Sequence, residues 1–232
     1  MLINDDYRKV ELTDPVDLII IDIPYNIGLD AYASNPQWWK KGEFKNGKSE
    51  KAESLFFETD KDFNIEEMLS YIQKNLKDDG KAVIFCSHLQ QFDIISLLKK
   101  YKFNNYTPLV FIKNNSAEVL KANMRIVGAC EYGLVIYKTV LGKFNNNGKM
   151  IKNYFEFKLE TKKQHPTQKP VKLIEQFIEL YTDEGDTVLD FVMGSGTTGV
   201  AAKNLNRKFI GIEIEEKYFN IARSRLYGDE VI

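Results

Sequence analysis

The fold of this chain is decided by the stretch VDLIIIDIPY, residues 16–25. Its apolar run from Val16 to Ile21 is interrupted only by Asp17 and is followed by a proline, which is typical of a strand buried on both faces of a sheet. Asp22 follows at the carboxyl end of this strand. Because ligands of open α/β sheets lie outside the carboxyl ends of the strands, the stretch predicts an α/β fold with a binding site at Asp22.

The four residues Asp22-Ile23-Pro24-Tyr25 bring together an acid, a rigid turn and an aromatic ring. Pro24 stiffens the chain and leaves the backbone carbonyls free as hydrogen-bond acceptors. A planar heterocycle with an exocyclic amine fits this arrangement. Its ring would stack on Tyr25, and its two N–H groups would reach the Asp22 carboxylate and the carbonyl of Ile23 or Pro24. An acidic turn after an ordinary core strand is the alternative, and these four residues alone leave both open.

The chain has 232 residues, of which 44% are hydrophobic and 28% charged, the composition of an ordinary soluble globular protein. We predict one catalytic domain over residues 1–232. No apolar run is long enough to span a membrane and Met1 opens no signal-peptide pattern, so we expect a cytoplasmic protein without a membrane partner. Cys86 and Cys130 lie far apart in apolar segments and are predicted to be buried thiols rather than a disulfide. Two histidines without a Cys/His cluster argue against a metal site.

The net charge of −1 hides an uneven distribution of charge along the chain. Between Lys99 and Lys169 there are 14 Lys and Arg residues against four Glu, a balance of +10 that leaves −11 for the remainder. Such segregation favours a basic face for a polyanion, although lysines that are simply solvated would give the same count.

Two irregular segments are candidates for contacts with that polyanion. Residues 138–164 interleave lysines with aromatic residues around Phe155, which predicts a small basic target-recognition lobe. A hairpin that packs its aromatic rings inward is the alternative, and we predict a mixture of the two, with the lysines outward and some of the rings inward. Residues 26–55 contain Trp38-Trp39 and are too long for an ordinary connection, which predicts a mobile loop beside the active site.

Strand and helix patterns alternate along the rest of the chain. Helices are predicted around residues 65–76, after Ser87, after Pro170, and around 200–205 and 218–226, and strands at residues 1–4, 16–22, 81–86, 109–112, 133–137, 187–191 and 208–212. Only a short helix or irregular turn fits between the fourth and fifth of these strands. We predict a doubly wound α/β fold with a seven-stranded, mostly parallel sheet and one antiparallel strand.

A second chemical stretch, DFVMGSGTTG at residues 190–199, combines a strand end, a glycine turn and a helix start. Gly194, Gly196 and Gly199 follow the pattern G-x-G-x-x-G, in which glycines let the backbone approach a ligand and the helix N-terminus favours an anionic group. Glu213 closes the next strand, where a carboxylate can bind two ribose hydroxyls. The site therefore suits a nucleoside that carries a charged arm.

A dinucleotide dehydrogenase is the rival interpretation of these glycines, and two features count against it. Only residues 200–232 follow the loop, too few for the second half of a dinucleotide-binding fold. Asp190 precedes the glycines, where it would repel a pyrophosphate but attract an ammonium group. An amino-acid arm with an ammonium and a carboxylate fits better, so we predict S-adenosylmethionine as the cofactor.

Together these stretches resemble the amino-methyltransferases of DNA, and their order resembles the permuted beta group of that family. The family pairs a D-P-P-Y-type catalytic motif, here residues 22–25, with a D-x-F-x-G-S-G-T-T-type cofactor loop, here starting at Asp190. A third similarity is the segment HPTQKP at residues 165–170, which in this group precedes the cofactor strand. Ile23 replaces the first proline of the catalytic motif, and the N-terminal segment of the family is reduced to Asn4-Asp5-Asp6.

The resemblance implies a Rossmann-like methyltransferase fold, S-adenosylmethionine as methyl donor, double-stranded DNA as partner and no metal. It implies catalytic roles for Asp22, Pro24 and Tyr25. It assigns cofactor contacts to Asp5 beside the adenine ring, Thr167 and Lys169 at the methionine carboxylate, Glu213 at the ribose, and Asp190, Phe191, Gly194, Ser195, Gly196 and Thr197 in the loop. A restriction-system partner and a prokaryotic or phage-type, nucleoid-associated location are expected on the same ground.

An aspartate at position 22 favours adenine N6 over cytosine N4 as the methyl acceptor, because the cytosine enzymes of the family more often have serine there. Methylation of cytosine N4, an RNA substrate and a catalytically idle DNA-binding homologue are the alternatives. Ile23 is the only motif residue that hints at the idle homologue.

Overall fold

Strands and helices alternate in the computed structural model, which describes residues 1–25, 63–113, 128–138, 142–157 and 169–228. The predicted loop at residues 26–55 and the predicted cofactor residue Thr167 lie outside the described residues. In chain order the elements are β1 (Leu2–Ile3), a 3-10 turn (Tyr7–Lys9), β2 (Val16–Asp22), α1 (Ile65–Asn75), β3 (Leu76–Cys86), α2 (His88–Leu97), β4 (Asn105–Lys113), β5 (Cys130–Tyr137), β6 (Tyr154–Phe157), α3 (Val171–Tyr181), β7 (Thr187–Asp190), α4 (Thr197–Asn204), β8 (Lys208–Ile212) and α5 (Glu216–Tyr227).

The described strands form one eight-stranded sheet in the order β1-β8-β7-β2-β3-β5-β4-β6. β5 is antiparallel to both of its neighbours, β3 and β4, and the other paired strands are parallel. The predicted mostly parallel sheet with one antiparallel strand is therefore confirmed, but the predicted number of seven strands was wrong.

The additional strand is β6, which lies within the segment predicted to be a recognition lobe. It pairs in parallel with the outer side of β4 from Val110↔Tyr154 to Lys113↔Phe157. Its inward ring Phe157 is 7% exposed. Tyr154, by contrast, is 42% exposed, so the described rings of this segment are divided between inward and outward positions, as predicted. β6 joins the main sheet rather than a hairpin of its own. A strand of only four residues gives too short an alternation to be recognised in the sequence.

β2 is buried on both faces of the sheet, as its apolar run predicts. Ile19 and Ile21 belong to the apolar core on the side of α1 and α2. Leu18 and Ile20 belong to the core on the opposite side, with residues of α3 and α4. Each of these four side chains is at most 1% exposed. This double burial fixes the position of Asp22 at the end of the strand.

Helix α2 starts with a capping box that the sequence partly predicts. The Ser87 hydroxyl accepts a hydrogen bond from the Gln90 N–H, and the Gln90 side chain accepts one from the Ser87 N–H. Both residues are buried. The cap places the first turn of α2 directly behind the end of β3.

The two cysteines differ in their surroundings. Both are free thiols, as predicted, and Cys86 is buried. The prediction of burial was wrong for Cys130, which is exposed. Cys130 is the first residue of β5, an interior strand, and lies where that strand enters the sheet. Within the part of the chain that the structure describes, no helix has the length and apolar character needed to cross a membrane.

Candidate active site

The two predicted motifs lie at the same edge of the sheet because they follow neighbouring parallel strands. β2 pairs with β7, so Asp22 and Asp190 both lie where these strands end. β7 pairs in turn with β8, and Glu213 directly follows the last residue of β8. Three carboxylates from distant parts of the sequence therefore share one edge.

Strand β5 brings a fourth carboxylate to this edge because it runs in the opposite direction. Its first residues pair with the last residues of β3, in the register Cys86↔Tyr132, and of β4, in the register Phe111↔Glu131. Glu131 therefore lies where the parallel strands end, although it stands at the beginning of its own strand.

Lys169 is buried between the acid of the catalytic motif and Glu131. Its ammonium nitrogen donates a hydrogen bond to Asp22 Oδ2 at 2.7 Å and lies 3.2 Å from Glu131 Oε2. The same nitrogen lies 3.3 Å from the Tyr25 hydroxyl and 5.2 Å from the centre of the Phe85 ring. Only 8% of the Lys169 side chain is exposed. The structure thus places this predicted cofactor residue on Asp22, and its contact with the cofactor stays a prediction.

A second lysine completes a cluster of four charges. Lys113, at the end of β4, lies 3.4 Å from Glu131 Oε1. The order Lys113, Glu131, Lys169, Asp22 alternates in sign and sums to zero, so each charge has a neighbour of opposite sign. Lys169 is buried, whereas the side chains of Lys113, Glu131 and Asp22 are 21%, 20% and 30% exposed. We refer to these four residues as the charge cluster.

The charge cluster shifts the pKa values of its members. Burial raises the pKa of the Asp22 carboxyl, and Lys169 only partly opposes this rise. Burial acts to lower the pKa of Lys169, but the attraction of Asp22 and Glu131 outweighs it and holds that pKa well above its usual value. Burial acts to raise the pKa of Glu131, but Lys169 and Lys113 outweigh it and lower that pKa. Lys169 and Glu131 are therefore charged at neutral pH.

Asp22 keeps one carboxylate oxygen without a hydrogen-bond partner. Among the described residues, none donates to the buried atom Oδ1, whereas Oδ2 accepts from Lys169. A buried polar atom without a partner costs about 1–3 kcal/mol. An N–H group that reached Oδ1 would therefore bind there favourably, which is what the predicted amine requires.

Gln90 determines which backbone carbonyl of the motif can be the second acceptor. Its side-chain Nε2 donates to the Pro24 carbonyl at 2.7 Å, so that carbonyl already has a partner. Ile23 donates its own N–H to the Phe85 carbonyl at 3.2 Å, and no described residue donates to the carbonyl of Ile23. Of the two carbonyls predicted, that of Ile23 is therefore the better candidate.

Glu213 connects the glycine loop to the end of β8. Its Oε2 accepts from the Gly194 N–H at 2.8 Å and its Oε1 accepts from the Glu215 N–H at 2.9 Å. Each carboxylate oxygen has a further lone pair with which it can accept a ligand hydroxyl. Gly194 has a φ of +50°, and nothing lies within 4 Å of the position a Cβ would take. The loop thus leaves open space beside Glu213.

Gly196 is required by close packing of the loop on α5. Its φ of +77° lies in the left-handed region, and a Cβ there would come 2.8 Å from the Cβ of Ala222. The flanking residues are held by the same helix, since Arg225 Nη1 donates to the Ser195 carbonyl at 2.5 Å and lies 3.2 Å from the Thr197 hydroxyl. Helix α5 therefore fixes the shape of the predicted cofactor loop.

Asp190 is the buried acid of this loop, with 4% exposure. Its Oδ2 accepts from the Thr198 hydroxyl at 2.7 Å and its Oδ1 accepts from the Val192 N–H at 3.2 Å. Burial raises the pKa of Asp190 to about 7, and the Thr198 hydrogen bond only partly opposes the rise. The charge of this carboxyl therefore changes near neutral pH.

The remaining predicted cofactor residues have partners within the protein. Phe191 is 1% exposed and packs against Tyr7 and Tyr71, with ring centres 4.8 and 5.0 Å away. Asp5 accepts a hydrogen bond from the Asp6 N–H at 2.7 Å. These contacts do not test the cofactor roles of Phe191 and Asp5, which stay predictions.

Five of the nine lysines that the structure describes between Lys99 and Lys169 are engaged in ion pairs. Paired lysines of the described part are Lys100 with Glu66, Lys138 with Asp78, Lys143 with Asp183 and Asp186, and the two lysines of the charge cluster. Lys149 and Lys152 are exposed, beside Met150, which is 89% exposed, and Tyr154, which is 42% exposed. Among the described lysines of this segment, Lys149 and Lys152 therefore offer positive charge beside β6 that no described acid neutralises.

Sequence reasoning missed Glu131, Lys113 and Gln90. Each belongs to a regular strand or helix and carries no motif of its own. A weak signal was present for Glu131, an acid at the start of an otherwise apolar strand. Among the described residues, no group of His, Cys, Asp and Glu side chains is arranged to hold a metal ion.

The chain belongs to the N6/N4 methyltransferase family, a family described as DNA methylase, whose model matches residues 16–224. This confirms the resemblance deduced from the three motifs. The chain is 32% identical to the type II methyltransferase M.HpaI of Haemophilus parainfluenzae over 222 residues, which is 91% of this chain and 68% of that protein.

Two further comparisons support the assignment. The chain is 47% identical to the type II methyltransferase M2.DpnII of Streptococcus pneumoniae, over 40% of this chain and little more than a third, 37%, of that relative. The crystal structure of M1.HpyAVI, also solved as a complex with S-adenosylmethionine, superposes with a TM-score of 0.72 at 28% identity over 98% of both chains. The predicted Rossmann-like methyltransferase fold is thereby confirmed.

Proposed function

We propose that this protein transfers a methyl group from S-adenosylmethionine to the N6 amine of an adenine in double-stranded DNA. The observation that carries the proposal is the buried, unpartnered Oδ1 of Asp22, at the sheet edge that also holds Asp190 and Glu213. An oxygen without a hydrogen-bond donor can accept an N–H group of the amine that is to be methylated. The two neighbouring acids suit a nucleoside with an ammonium arm.

The acids and the glycine loop fit S-adenosylmethionine. Glu213 has acceptor capacity left for the ribose hydroxyls, and the open side of Gly194 allows close approach of a ligand. Asp190, when ionised, attracts an ammonium group. When bound, S-adenosylmethionine supplies an electrophilic methyl group on a positively charged sulfur.

Asp22 and Ile23 activate the amine by orienting it. The lone pair of an exocyclic amine is shared with the aromatic ring, which makes the amine a poor nucleophile. When Asp22 Oδ1 and the Ile23 carbonyl accept its two N–H bonds, the lone pair turns toward the methyl group. The carboxylate then stabilises the positive charge that grows on nitrogen as the N–C bond forms. The bond between the methyl carbon and sulfur would break at the same time, and its electron pair would stay on sulfur as a neutral thioether. The surplus proton on nitrogen leaves to solvent.

Tyr25 offers a ring face for the base. Stacking of a base on an aromatic side chain contributes roughly 1–3 kcal/mol. This gain offsets part of the few kcal/mol needed to extrude a base from the duplex. We therefore propose that the target adenine is flipped out onto Tyr25.

The choice of adenine is tested by product analysis. DNA incubated with the protein and S-adenosylmethionine is digested to nucleosides, and we expect N6-methyladenine by mass spectrometry. N4-methylcytosine as the product would contradict the proposal. Binding of S-adenosylmethionine without methyl transfer to any DNA would instead support the catalytically idle homologue, and transfer to RNA alone would identify an RNA methyltransferase.

The exposed surface near β6 is proposed to contact the DNA backbone. Replacement of Lys149 and Lys152 by alanine is expected to weaken DNA binding and to reduce the slope of log K against log salt by about 2, since each lost phosphate contact removes about 0.9. Fluorescence anisotropy over a series of salt concentrations measures both quantities. Lys208→Ala is the control, because Lys208 is exposed on β8, which five strands separate from β6 in the sheet. An unchanged slope in the double variant would show that these lysines are merely solvated.

A further inference from the structure

We propose that Lys169 and Glu131 are positioning residues for Asp22, and that Lys169 holds Oδ2 so that Oδ1 alone receives the amine. This inference rests on the proposed function and extends it to two residues that do not touch the reacting atoms. Lys169 acts through Asp22, and Glu131 acts through Lys169.

The contacts of Lys169 argue for this order of action. Its ammonium is 8% exposed and lies between two carboxylates, 2.7 Å from Asp22 Oδ2 and 3.2 Å from Glu131 Oε2. An ammonium offers three N–H donors and no acceptor, so it fixes an oxygen without competing for the amine. The aromatic faces of Tyr25 and Phe85 lie 5.5 and 5.2 Å away and restrict where the ammonium can move.

Glu131 is held from its other side, which makes it a fixed anchor. Lys113 lies 3.4 Å from Oε1, while Oε2 faces Lys169. Glu131 belongs to β5, which is paired on both sides in the sheet. Lys169 lies two residues before α3, and its contact with Glu131 ties it to the sheet. The orientation of Asp22 therefore depends on β5, which is a rigid element.

The charge cluster is poorly explained as a device for stability alone. A buried ion pair gains little over apolar side chains of similar volume, because desolvation of the charges offsets their attraction. In addition, two buried oxygens of the cluster have no hydrogen-bond partner among the described residues, Glu131 Oε2 and Asp22 Oδ1. Glu131 Oε2 still faces the Lys169 ammonium at 3.2 Å, whereas no described cation faces Asp22 Oδ1. A carboxylate with one oxygen held by a lysine and the other without a hydrogen-bond donor is expected where a ligand binds to the second oxygen.

The inference predicts opposite pH effects for the two residues. Asp22 faces the following titratable groups: Lys169, Glu131, Tyr25, Cys86 and Asp190. Lys169 lowers the pKa of Asp22 and Glu131 raises it, while burial raises it most. Removal of the lysine charge therefore moves the acidic limb of the rate profile to higher pH, and removal of the Glu131 charge moves it to lower pH.

The test compares Lys169→Met and Glu131→Gln with the wild-type protein by single-turnover methyl transfer to DNA between pH 5 and 9. S-adenosylmethionine is kept saturating at every pH, so that the titration of Asp190 does not set the acidic limb. We expect Lys169→Met to lower the rate at pH 7 roughly tenfold or more, the size of effect of losing a hydrogen bond to a charged group, and to lower it further at more acidic pH. Lys169→Arg keeps the cation and is expected to retain the wild-type acidic limb. Carbon-13 NMR of the Asp22 carboxyl, assigned by its loss in Asp22→Asn, reports the same two shifts without turnover.

Lys172→Met is the matched control, because Lys172 is three residues away and its side chain is 93% exposed. It should leave both the rate and the pH profile unchanged. If Lys169→Met does not fold, Glu131→Gln alone tests the inference, since its acidic limb should move to lower pH.

Opposite shifts of the acidic limb support the inference. The inference is overturned if the acidic limbs of both variants coincide with that of the wild type, or if both move in the same direction. A weaker affinity of Lys169→Met for S-adenosylmethionine in calorimetry, with an unmoved acidic limb, would assign Lys169 to the cofactor carboxylate and also overturn it. A wild-type protein that methylates no DNA at any pH contradicts the proposed function itself, so the two failures are distinguishable.

Discussion

Replacement of Asp22 by alanine is expected to lower the rate of methyl transfer by at least 10²–10³-fold, the size of effect seen when one preorganised electrostatic partner is removed from an active site. In the proposed mechanism its carboxylate accepts an N–H of the amine, orients it and offsets the charge developing on nitrogen. The affinity for S-adenosylmethionine should change little, because the cofactor contacts proposed here involve β7, β8 and their loops rather than β2. Single-turnover kinetics with a labelled methyl group and calorimetry of cofactor binding measure the two effects separately.

Asp17→Ala is the control for this variant, since Asp17 lies on the same strand at the opposite edge of the sheet. Its carboxylate pairs with Lys77 at 2.6 Å and accepts from the Thr187 N–H at 2.9 Å. Loss of these contacts should lower the unfolding temperature but leave methyl transfer by the folded protein near normal. Near-normal transfer by Asp22→Ala would remove Asp22 from the chemistry.

Asp190→Asn is expected to weaken S-adenosylmethionine binding by roughly 10–100-fold, because a hydrogen bond to a charged group contributes about 1.5–3 kcal/mol. Asparagine has nearly the same shape and can still accept from the Val192 N–H, while its amide can donate to the Thr198 hydroxyl. The loss should therefore reflect the missing charge rather than a rearranged loop. Calorimetry at pH 8, where the wild-type carboxyl is ionised, measures it.

The same substitution is expected to stabilise the protein at high pH. The pKa of Asp190 is raised to about 7 in the folded state, compared with about 3.9 in an unfolded chain. A raised carboxyl pKa contributes stability that is fully present below the unfolded value and is lost as the pH rises through the folded value. Asp190→Asn removes this loss, so its unfolding temperature relative to wild type should increase between pH 4 and pH 8. A difference that stays constant with pH would contradict the raised pKa.

The local motifs could be predicted because the residues that act together are adjacent in sequence. The acid, the turn and the ring at residues 22–25 follow one strand, and the glycines at residues 194–199 follow another. Periodicity alone indicated that β2 is buried on both faces. Since parallel neighbouring strands end at one edge, the convergence of Asp22 and Asp190 followed from the fold class.

The charge cluster could not be predicted, because its members meet only through tertiary structure. Lys169 contacts Asp22 across a separation of 147 residues. Glu131 reaches the site only because β5 is antiparallel, and the patterns in the sequence did not specify where that strand pairs. Gln90 is visible as a capping residue, but its second contact with the Pro24 carbonyl depends on how α2 packs behind β3.

Because β5 is antiparallel to both β3 and β4, the two ladders that hold it fix where Glu131 lies. A slip of this strand by one residue would turn Glu131 to the other face of the sheet. Lys113 and Lys169 would then lose the acid that they share. The pairing register of a single reversed strand thereby controls the electrostatic balance around Asp22.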